Sequence, residues 1–189
     1  MRLFIGVELN DQVRDAAEQI AESLKREIGD RVDARWIPAA NLHITLWFIG
    51  EIEDHRSEDL LRILNRPFDE PPFDIDVSGL GMFPPSGAPR AIWLGVRSGG
   101  ERLARVHAEL AARLAPLGFE PERRAYSAHL TIARVKDVSR AIGYRAIRET
   151  ASRIPSVAGR CHITSITVFR SRLSPKGPSY EALLRIPLQ

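Results

Sequence analysis

Two short segments of the sequence place a threonine two residues after a histidine and follow it with an apolar residue. They are His43-Ile44-Thr45-Leu46 and His129-Leu130-Thr131-Ile132, and the two histidines stand 86 positions apart. The chain of 189 residues has five histidines and five threonines, so random order would give roughly 0.1 such pairs. The recurrence therefore indicates a functional pattern.

Strand geometry suggests what these pairs can do. Side chains two residues apart on a strand point to the same face, so each segment would present an imidazole beside a hydroxyl. Two imidazoles on either side of a phosphodiester can act as general base and general acid. The threonine hydroxyls can stabilise charge on the non-bridging phosphate oxygens. We expect severe losses of activity without either histidine and milder losses without either threonine.

Two other interpretations of the histidines stay open on this evidence. Each pair could be purely structural, although two pairs at matched places in a repeat disfavour that interpretation. A zinc site usually has three or four protein ligands, and no third ligand lies at a local spacing from His43 or His129. We therefore predict a site with no metal and no cofactor.

The remaining histidines receive no catalytic role. A third pair, His162-Ile163-Thr164, is followed by Ser165 in place of an apolar residue, and it lacks the preceding strand and helix of the other two. We interpret His162 as a sheet residue, and His55 and His107 as surface or packing residues.

Three arginines lie close to the second pair in the sequence. Arg123 and Arg124 precede it, and Arg134 ends its predicted strand. Arginine binds phosphate through a planar fork of donors. We expect Arg134 to contact the phosphate, and a solvated charge is the alternative for each of the three.

Hydrophobic periodicity predicts an alternation of strands and helices around the pairs. Strands are predicted at 2–9, 42–49, around 73–77, 91–96, 128–135, 160–170 and 180–188, helices at 11–28, 57–65, 101–114 and 138–152, and a loop at 81–90. The first helix has Asn10 or Asp11 as its cap and Gly29 as its end. The apolar stripes of the first and third helices are Val13, Ala17, Ile20, Leu24 and Ile28, then Leu103, Val106, Leu110 and Leu114.

The two halves begin with the same succession of elements. Leu3-Phe4-Ile5-Gly6-Val7 is similar to Ile92-Trp93-Leu94-Gly95-Val96, and each run precedes an amphipathic helix and then a histidine–threonine strand. This internal repeat predicts two related structural units. We predict a single domain over 1–189 made of two lobes, with motif-bearing units at about 1–50 and 90–136.

Charge is unevenly divided along the chain. Residues 1–89 contain 9 basic and 17 acidic side chains, a net charge of −8, whereas residues 90–189 contain 18 basic and 7 acidic ones, a net charge of +11. Of the 27 basic residues, 24 are arginines. The asymmetry favours an anionic partner such as RNA, although codon bias alone would also explain the arginine content.

Composition excludes several classes of protein. Hydrophobic residues make up 44% of the chain, which is enough for a core and argues against disorder. No apolar stretch approaches the roughly 18–20 residues of a membrane span, and the N-terminus starts as a strand rather than as a signal peptide. The single Cys161 cannot form an internal disulfide. We expect a monomeric, cytoplasmic protein with no membrane contact.

The paired motifs resemble those of the two-histidine (2H) phosphoesterase superfamily. Within it, the chain is similar to the bacterial and archaeal RNA 2′,3′-cyclic phosphodiesterases, once named 2′–5′ RNA ligases. The similarity runs nearly end to end through segments 1–7, 41–51, 83–90, 92–96, 129–134 and 171–180. Ala128 departs from the pattern, because family members often have proline before the second histidine, and we expect this change to affect backbone stiffness more than chemistry.

The resemblance implies a bilobal α+β fold with a pseudo-twofold repeat of strand–helix–strand units, in which antiparallel sheets line a central cleft and helices lie outside. It implies metal-independent hydrolysis of RNA 2′,3′-cyclic phosphate ends to 2′-phosphomonoesters. His43 would be the proton donor and His129 the proton acceptor, an order that the residues alone do not decide, and Thr45, Thr131 and Arg134 would bind the phosphate. The alternatives are 2′–5′ RNA ligation and a non-catalytic RNA- or nucleotide-binding module.

Overall fold

The computed structural model describes residues 1–122, 124–138, 143–175 and 177–189. These residues contain nine strands and four helices. The strands are β1 (Arg2–Glu8), β2 (Val32–Trp36), β3 (His43–Glu51), β4 (Phe73–Phe83), β5 (Ala91–Ser98), β6 (His129–Val138), β7 (Val157–Ile163), β8 (Ser165–Ser174) and β9 (Gly177–Pro187). The helices are α1 (Asp11–Ile28), α2 (Asp54–Leu64), α3 (Gly100–Leu114) and α4 (Gly143–Arg153).

The strands form one curled antiparallel sheet. Their order is β7-β4-β5-β6-β3-β1-β8-β9, and β2 pairs with β6 beside this path. β3 and β6 meet in a single bridge between Ile44 and Leu130, and the order is symmetric about it: β5 matches β1, β4 matches β8 and β7 matches β9. The predicted α+β class with antiparallel pairing is confirmed, and the sheet portions of the two halves are continuous through that bridge.

The helices cover one face of this sheet with the apolar stripes that their sequences predict. The Asn10 side chain caps α1 by accepting a hydrogen bond of 2.9 Å from the Val13 amide, and Gly29 follows its last residue. Every predicted stripe residue of α1 and α3 is buried and belongs to the same core cluster as Ile44 and Leu130. Within the described residues, no helix is long and apolar enough to cross a membrane.

The clearest differences from the sequence prediction concern β2, β7 with β8, β4 and β6. β2 is missed, because its five residues Val-Asp-Ala-Arg-Trp mix charged and apolar types. The expected strand at 160–170 is two strands, β7 and β8, with Thr164 between them. β4 continues to Phe83, into the expected loop, and residue 138 ends β6 rather than starting a helix. Residues 139–142 of the predicted fourth helix lie outside the described part.

Gly6 of β1 leaves no room for a side chain. A Cβ atom there would lie 2.5 Å from the carbonyl oxygen of Ile44, which is backbone of the paired strand β3. We expect Gly6→Ala to lower the free energy of unfolding in urea by about 1–3 kcal/mol, the usual range for overpacking. Gly100→Ala is the matched control, because its Cβ would have no neighbour nearer than 3.9 Å. Equal stability of the two variants would contradict this account.

Candidate active site

The bridge between β3 and β6 brings the two histidine–threonine pairs together. Ile44 and Leu130 are directly opposite one another and fully buried. Because strand side chains alternate between faces, the flanking histidines and threonines lie on the opposite face of the sheet. In an antiparallel register, each histidine then lies beside the threonine of the other pair. The fold thus assembles the four residues whose spacing suggested chemistry.

Matching backbone contacts hold both imidazole rings. His43 Nδ1 lies 2.8 Å from the carbonyl oxygen of Asn41, and His129 Nδ1 lies 2.7 Å from that of Ser127. A carbonyl oxygen only accepts hydrogen bonds, so Nδ1 carries a proton in each ring and donates it. In both rings Nε2 is therefore the nitrogen left to exchange a proton with a ligand.

Aromatic side chains support each histidine from equivalent places in the repeat. The Phe4 ring lies 4.6 Å from that of His43, and the Trp93 ring lies 6.1 Å from that of His129. Phe4 and Trp93 occupy the same place in the two similar runs that begin the halves. The repeat in the sequence therefore contains a signal for these supports, although periodicity alone does not assign them to the site. Tyr180 completes the packing by meeting His43 edge-on at 5.1 Å.

Burial and a nearby arginine both disfavour the charged form of His43. Burial is the larger cause, and it lowers the pKa of the imidazole below its ordinary value of 6.5. The hydrogen bond to the Asn41 carbonyl partly opposes this effect, and the positive charge of Arg134 adds to it. A negative charge placed beside Arg134 would therefore favour the protonated form of His43.

A cleft of about 370 Å³ opens beside the two pairs. Thr45, His129, Thr131 and Arg134 all line it. Within the described residues, neither threonine hydroxyl has a hydrogen-bond partner, so both are available to a ligand. The cleft places these hydroxyls, an imidazole and a guanidinium around one space, which suits a phosphate group.

A stack of rings forms another wall of this cleft. The His107 ring lies between those of Trp47, at 5.3 Å, and Tyr126, at 4.5 Å. Tyr126 donates a hydrogen bond of 3.3 Å to the carbonyl of Thr45, and burial raises the pKa of its hydroxyl. Phe48 lines the same cleft with 56% of its surface exposed. Flat aromatic surfaces of this kind bind nucleobases by stacking.

His107 shows where reasoning from sequence was incomplete. It packs, as expected, but it does so inside the cleft rather than away from the site. Burial lowers the pKa of its imidazole, and the carboxylate of Glu122 partly opposes this. Its spacing on α3 gives no sign of the cleft, because its ring partners come from β3 and from a segment without periodic pattern.

The arginines near the second pair have different positions. Arg134 and Arg124 are exposed and line the cleft, whereas Arg123 lies outside the described residues. Arg134 is on β6, opposite Arg35 of β2. Its contact with a phosphate stays a prediction.

The other two histidines lie away from the cleft. His162 is a sheet residue of β7, as expected, and its Nδ1 lies 2.7 Å from a carboxylate oxygen of Asp74. Thr164 falls between two strands, so the third pair does not present its members on one strand face. His55 is exposed beside Glu53. Across the described ranges, no group of three or more histidine, cysteine, aspartate and glutamate side chains is arranged to hold a metal.

Replacing Arg134 should change both phosphate binding and the titration of His43. Arg134→Gln removes a positive charge that opposes imidazolium formation, so we expect the pKa of His43 to rise in an NMR titration. It should also weaken the binding of inorganic phosphate. Arg14→Gln is the control, because Arg14 is ion-paired with Asp11 on α1. An unchanged or lower His43 pKa, or equal phosphate affinity in both variants, would contradict the placement of Arg134.

Comparisons with known proteins find a family and relatives that match most of the chain. Residues 9–174 match the family model described as the 2′-5′ RNA ligase superfamily. An RNA 2′,3′-cyclic phosphodiesterase of Archaeoglobus fulgidus is 34% identical over 185 residues, covering 97% of this chain and 98% of that protein.

Two solved structures share the fold over nearly the whole chain. TT0787 of Thermus thermophilus superposes with a TM-score of 0.78 at 26% identity, covering 99% of this chain and 97% of that one. LigT of E. coli complexed with 3′-AMP gives a TM-score of 0.70 at 25% identity, with coverage of 99% and 97%.

Proposed function

Because this chain belongs to the 2′-5′ RNA ligase superfamily of two-histidine phosphoesterases, we propose that it hydrolyses RNA 2′,3′-cyclic phosphodiester ends to 2′-phosphomonoesters without a metal. The observation that carries the proposal is the matched pair of imidazoles, each held at Nδ1 by a backbone carbonyl and each with Nε2 free. The names of the phosphodiesterase relatives support the same substrate.

The proposed reaction is one displacement at phosphorus. A water oxygen attacks the phosphorus while its proton passes to Nε2 of His129. The bond from phosphorus to the 3′ oxygen breaks, and that oxygen takes a proton from Nε2 of His43. The hydroxyls of Thr45 and Thr131 and the guanidinium of Arg134 stabilise the charge on the non-bridging oxygens. The Nδ1 contacts of the two histidines are alike and do not decide which ring is the acid, so the order of acid and base follows the family resemblance.

The lowered pKa of His43 is compatible with a role as the acid once substrate is bound. In the free protein, Arg134 and burial favour the neutral ring. A bound phosphodiester brings a negative charge beside both groups, which offsets the charge of Arg134 and favours the imidazolium. Binding of the substrate therefore prepares His43 to donate a proton.

Two alternatives use the same cleft. Ligation of RNA ends through a 2′–5′ bond would use the same residues, with the 5′ hydroxyl of a second RNA replacing water as the nucleophile and the same 3′ oxygen leaving. A binding module without turnover would have no need for two threonine–histidine pairs held in matched geometry.

We also propose that the chain acts as a single domain of two lobes, as the symmetric strand order suggests. The monomeric state and the cytoplasmic location stay predictions.

Product analysis tests the proposal. RNA ending in a 2′,3′-cyclic phosphate is incubated with the protein in the presence of EDTA, and the product is identified by phosphorus NMR. We expect a 2′-phosphomonoester to form. A 3′-phosphate, no product, or loss of activity with the chelator would each overturn part of the proposal, and a joined RNA product would favour ligation.

A further inference from the structure

A group of unpaired cations lies beyond His43 on the same face of the sheet. Arg2 of β1 is opposite Ser171 of β8, which is in turn opposite Tyr180 of β9, so these side chains form a row on one face. Arg35 of β2 approaches the same place from the other side. A Cβ on Gly177, the first residue of β9, would lie 2.5 Å from an Arg35 guanidinium nitrogen.

Tyr180 connects this group to the catalytic cleft. Its ring meets that of His43 edge-on at 5.1 Å. Burial raises the pKa of its hydroxyl, and the nearby charges of Arg134, Arg35 and Arg2 each oppose this effect. The three guanidinium groups therefore share one neighbourhood, in which Arg134 alone also lines the cleft.

These cations are not neutralised by carboxylates. Across the described ranges, no aspartate or glutamate oxygen lies within 4.0 Å of Arg2, Arg35 or Arg134, although Glu51 is opposite Arg2 in the β1–β3 register. By contrast, nearby Arg170 is ion-paired with Glu181. Exposed arginines kept free beside a phosphate site are the electrostatic feature expected of a nucleic-acid backbone contact.

The aromatic wall of the cleft is unsuited to a second phosphate. Glu120 and Glu122 line it together with the ring stack, and two carboxylates repel a phosphodiester, although Arg124 is also present. The terminal nucleobase fits this wall better than the sugar–phosphate chain does. The remaining strand then leaves the site on the side of His43 and Tyr180.

We propose that Arg35, Arg2 and the Tyr180 hydroxyl form a second phosphate subsite, which binds the phosphodiester linking the terminal nucleotide to the rest of the RNA. The inference rests on the proposed function, and it identifies the substrate as an RNA end rather than a free cyclic nucleotide. Part of the RNA-backbone contact thus comes from the acidic first half of the chain, through Arg2 and Arg35.

The test compares kcat/KM for a dinucleotide and a mononucleotide that both end in a 2′,3′-cyclic phosphate. The wild-type protein should favour the dinucleotide. Arg35→Gln should lower the ratio of the two kcat/KM values about 10-fold, the effect of losing one charged hydrogen bond. Arg26→Gln is the control, because Arg26 is an exposed residue in the last turn of α1 whose side chain donates a hydrogen bond to Ser23, and it should leave the ratio unchanged.

A binding measurement separates this inference from the proposed function. Dissociation constants for a short RNA and for a mononucleotide, both ending in a 2′-phosphate, need no turnover. Arg35→Gln should weaken binding of the RNA more than binding of the mononucleotide. The slope of RNA affinity against salt concentration should fall by about the amount that one phosphate contact contributes. If Arg35→Gln weakens binding of both ligands equally, or of neither, the second subsite is overturned. If the protein binds RNA selectively but shows no hydrolysis, only the proposed function is overturned.

Discussion

His129→Ala is expected to lower kcat/KM for RNA 2′,3′-cyclic ends by about 10²–10⁴-fold, the usual contribution of a general base. The hydrogen bond of 2.7 Å from Nδ1 to the Ser127 carbonyl leaves the lone pair of the neutral ring on Nε2. Alanine removes that acceptor, so water must lose its proton without a positioned base. Initial rates at several substrate concentrations measure the effect.

Controls distinguish this loss from a general disturbance of the protein. His162→Ala changes a histidine of β7 that is paired with Asp74 and lies away from the cleft, so activity should be retained. The ring of His129 is only partly buried, and circular dichroism should show that the variant is folded. Retention of more than about a tenth of the activity by His129→Ala would contradict the assignment, since a general base contributes about 10²-fold or more.

His43→Ala is expected to cause a loss of the same order, about 10²–10⁴-fold, but one that depends on the leaving group. Alkoxide is a poor leaving group, so the 3′ oxygen needs a proton as its bond to phosphorus breaks. A substrate with sulfur at the 3′ bridging position needs no such proton, because a thiol has a pKa of about 8.5. The sulfur substrate should therefore recover most of the rate that His43→Ala loses.

The leaving-group comparison also decides which histidine is the acid. His129→Ala should stay slow on the sulfur substrate, because attack by water still lacks a base. If the sulfur substrate instead rescues His129→Ala and not His43→Ala, the two roles are exchanged. Equal behaviour of both variants on both substrates would contradict separate acid and base roles.

Reasoning from sequence succeeds where a local pattern has one structural outcome. The stripe of α1, from Val13 to Ile28, can be buried only on one side of a helix, and it is. The two histidine–threonine pairs need only the period of a strand to share a face, so their alignment followed from spacing alone. Phe4 and Trp93 stand at the same distance before matched glycines in the repeat. Their matched positions correspond to matched contacts with the two histidines, which periodicity alone does not show.

The features of the site that the sequence does not predict depend on contacts between distant segments. The ring of His107 lies between those of Trp47 and Tyr126 only because α3, β3 and the segment before β6 converge. β2 has too few residues for a period, and its place beside β6 is what puts Arg35 opposite Arg134. The unpaired state of these arginines is likewise a property of the fold, since Asp33 and Asp137 lie on the same two strands without forming an ion pair with them.

The stereochemical course at phosphorus tests the two-histidine mechanism most directly. An RNA ending in one diastereomer of a 2′,3′-cyclic phosphorothioate is hydrolysed in water enriched in oxygen-18, and the configuration of the labelled product is determined. A base and an acid on opposite sides of phosphorus imply a single in-line displacement, so the configuration should be inverted. Retention of configuration would require two displacements through a covalent intermediate, and it would contradict the account.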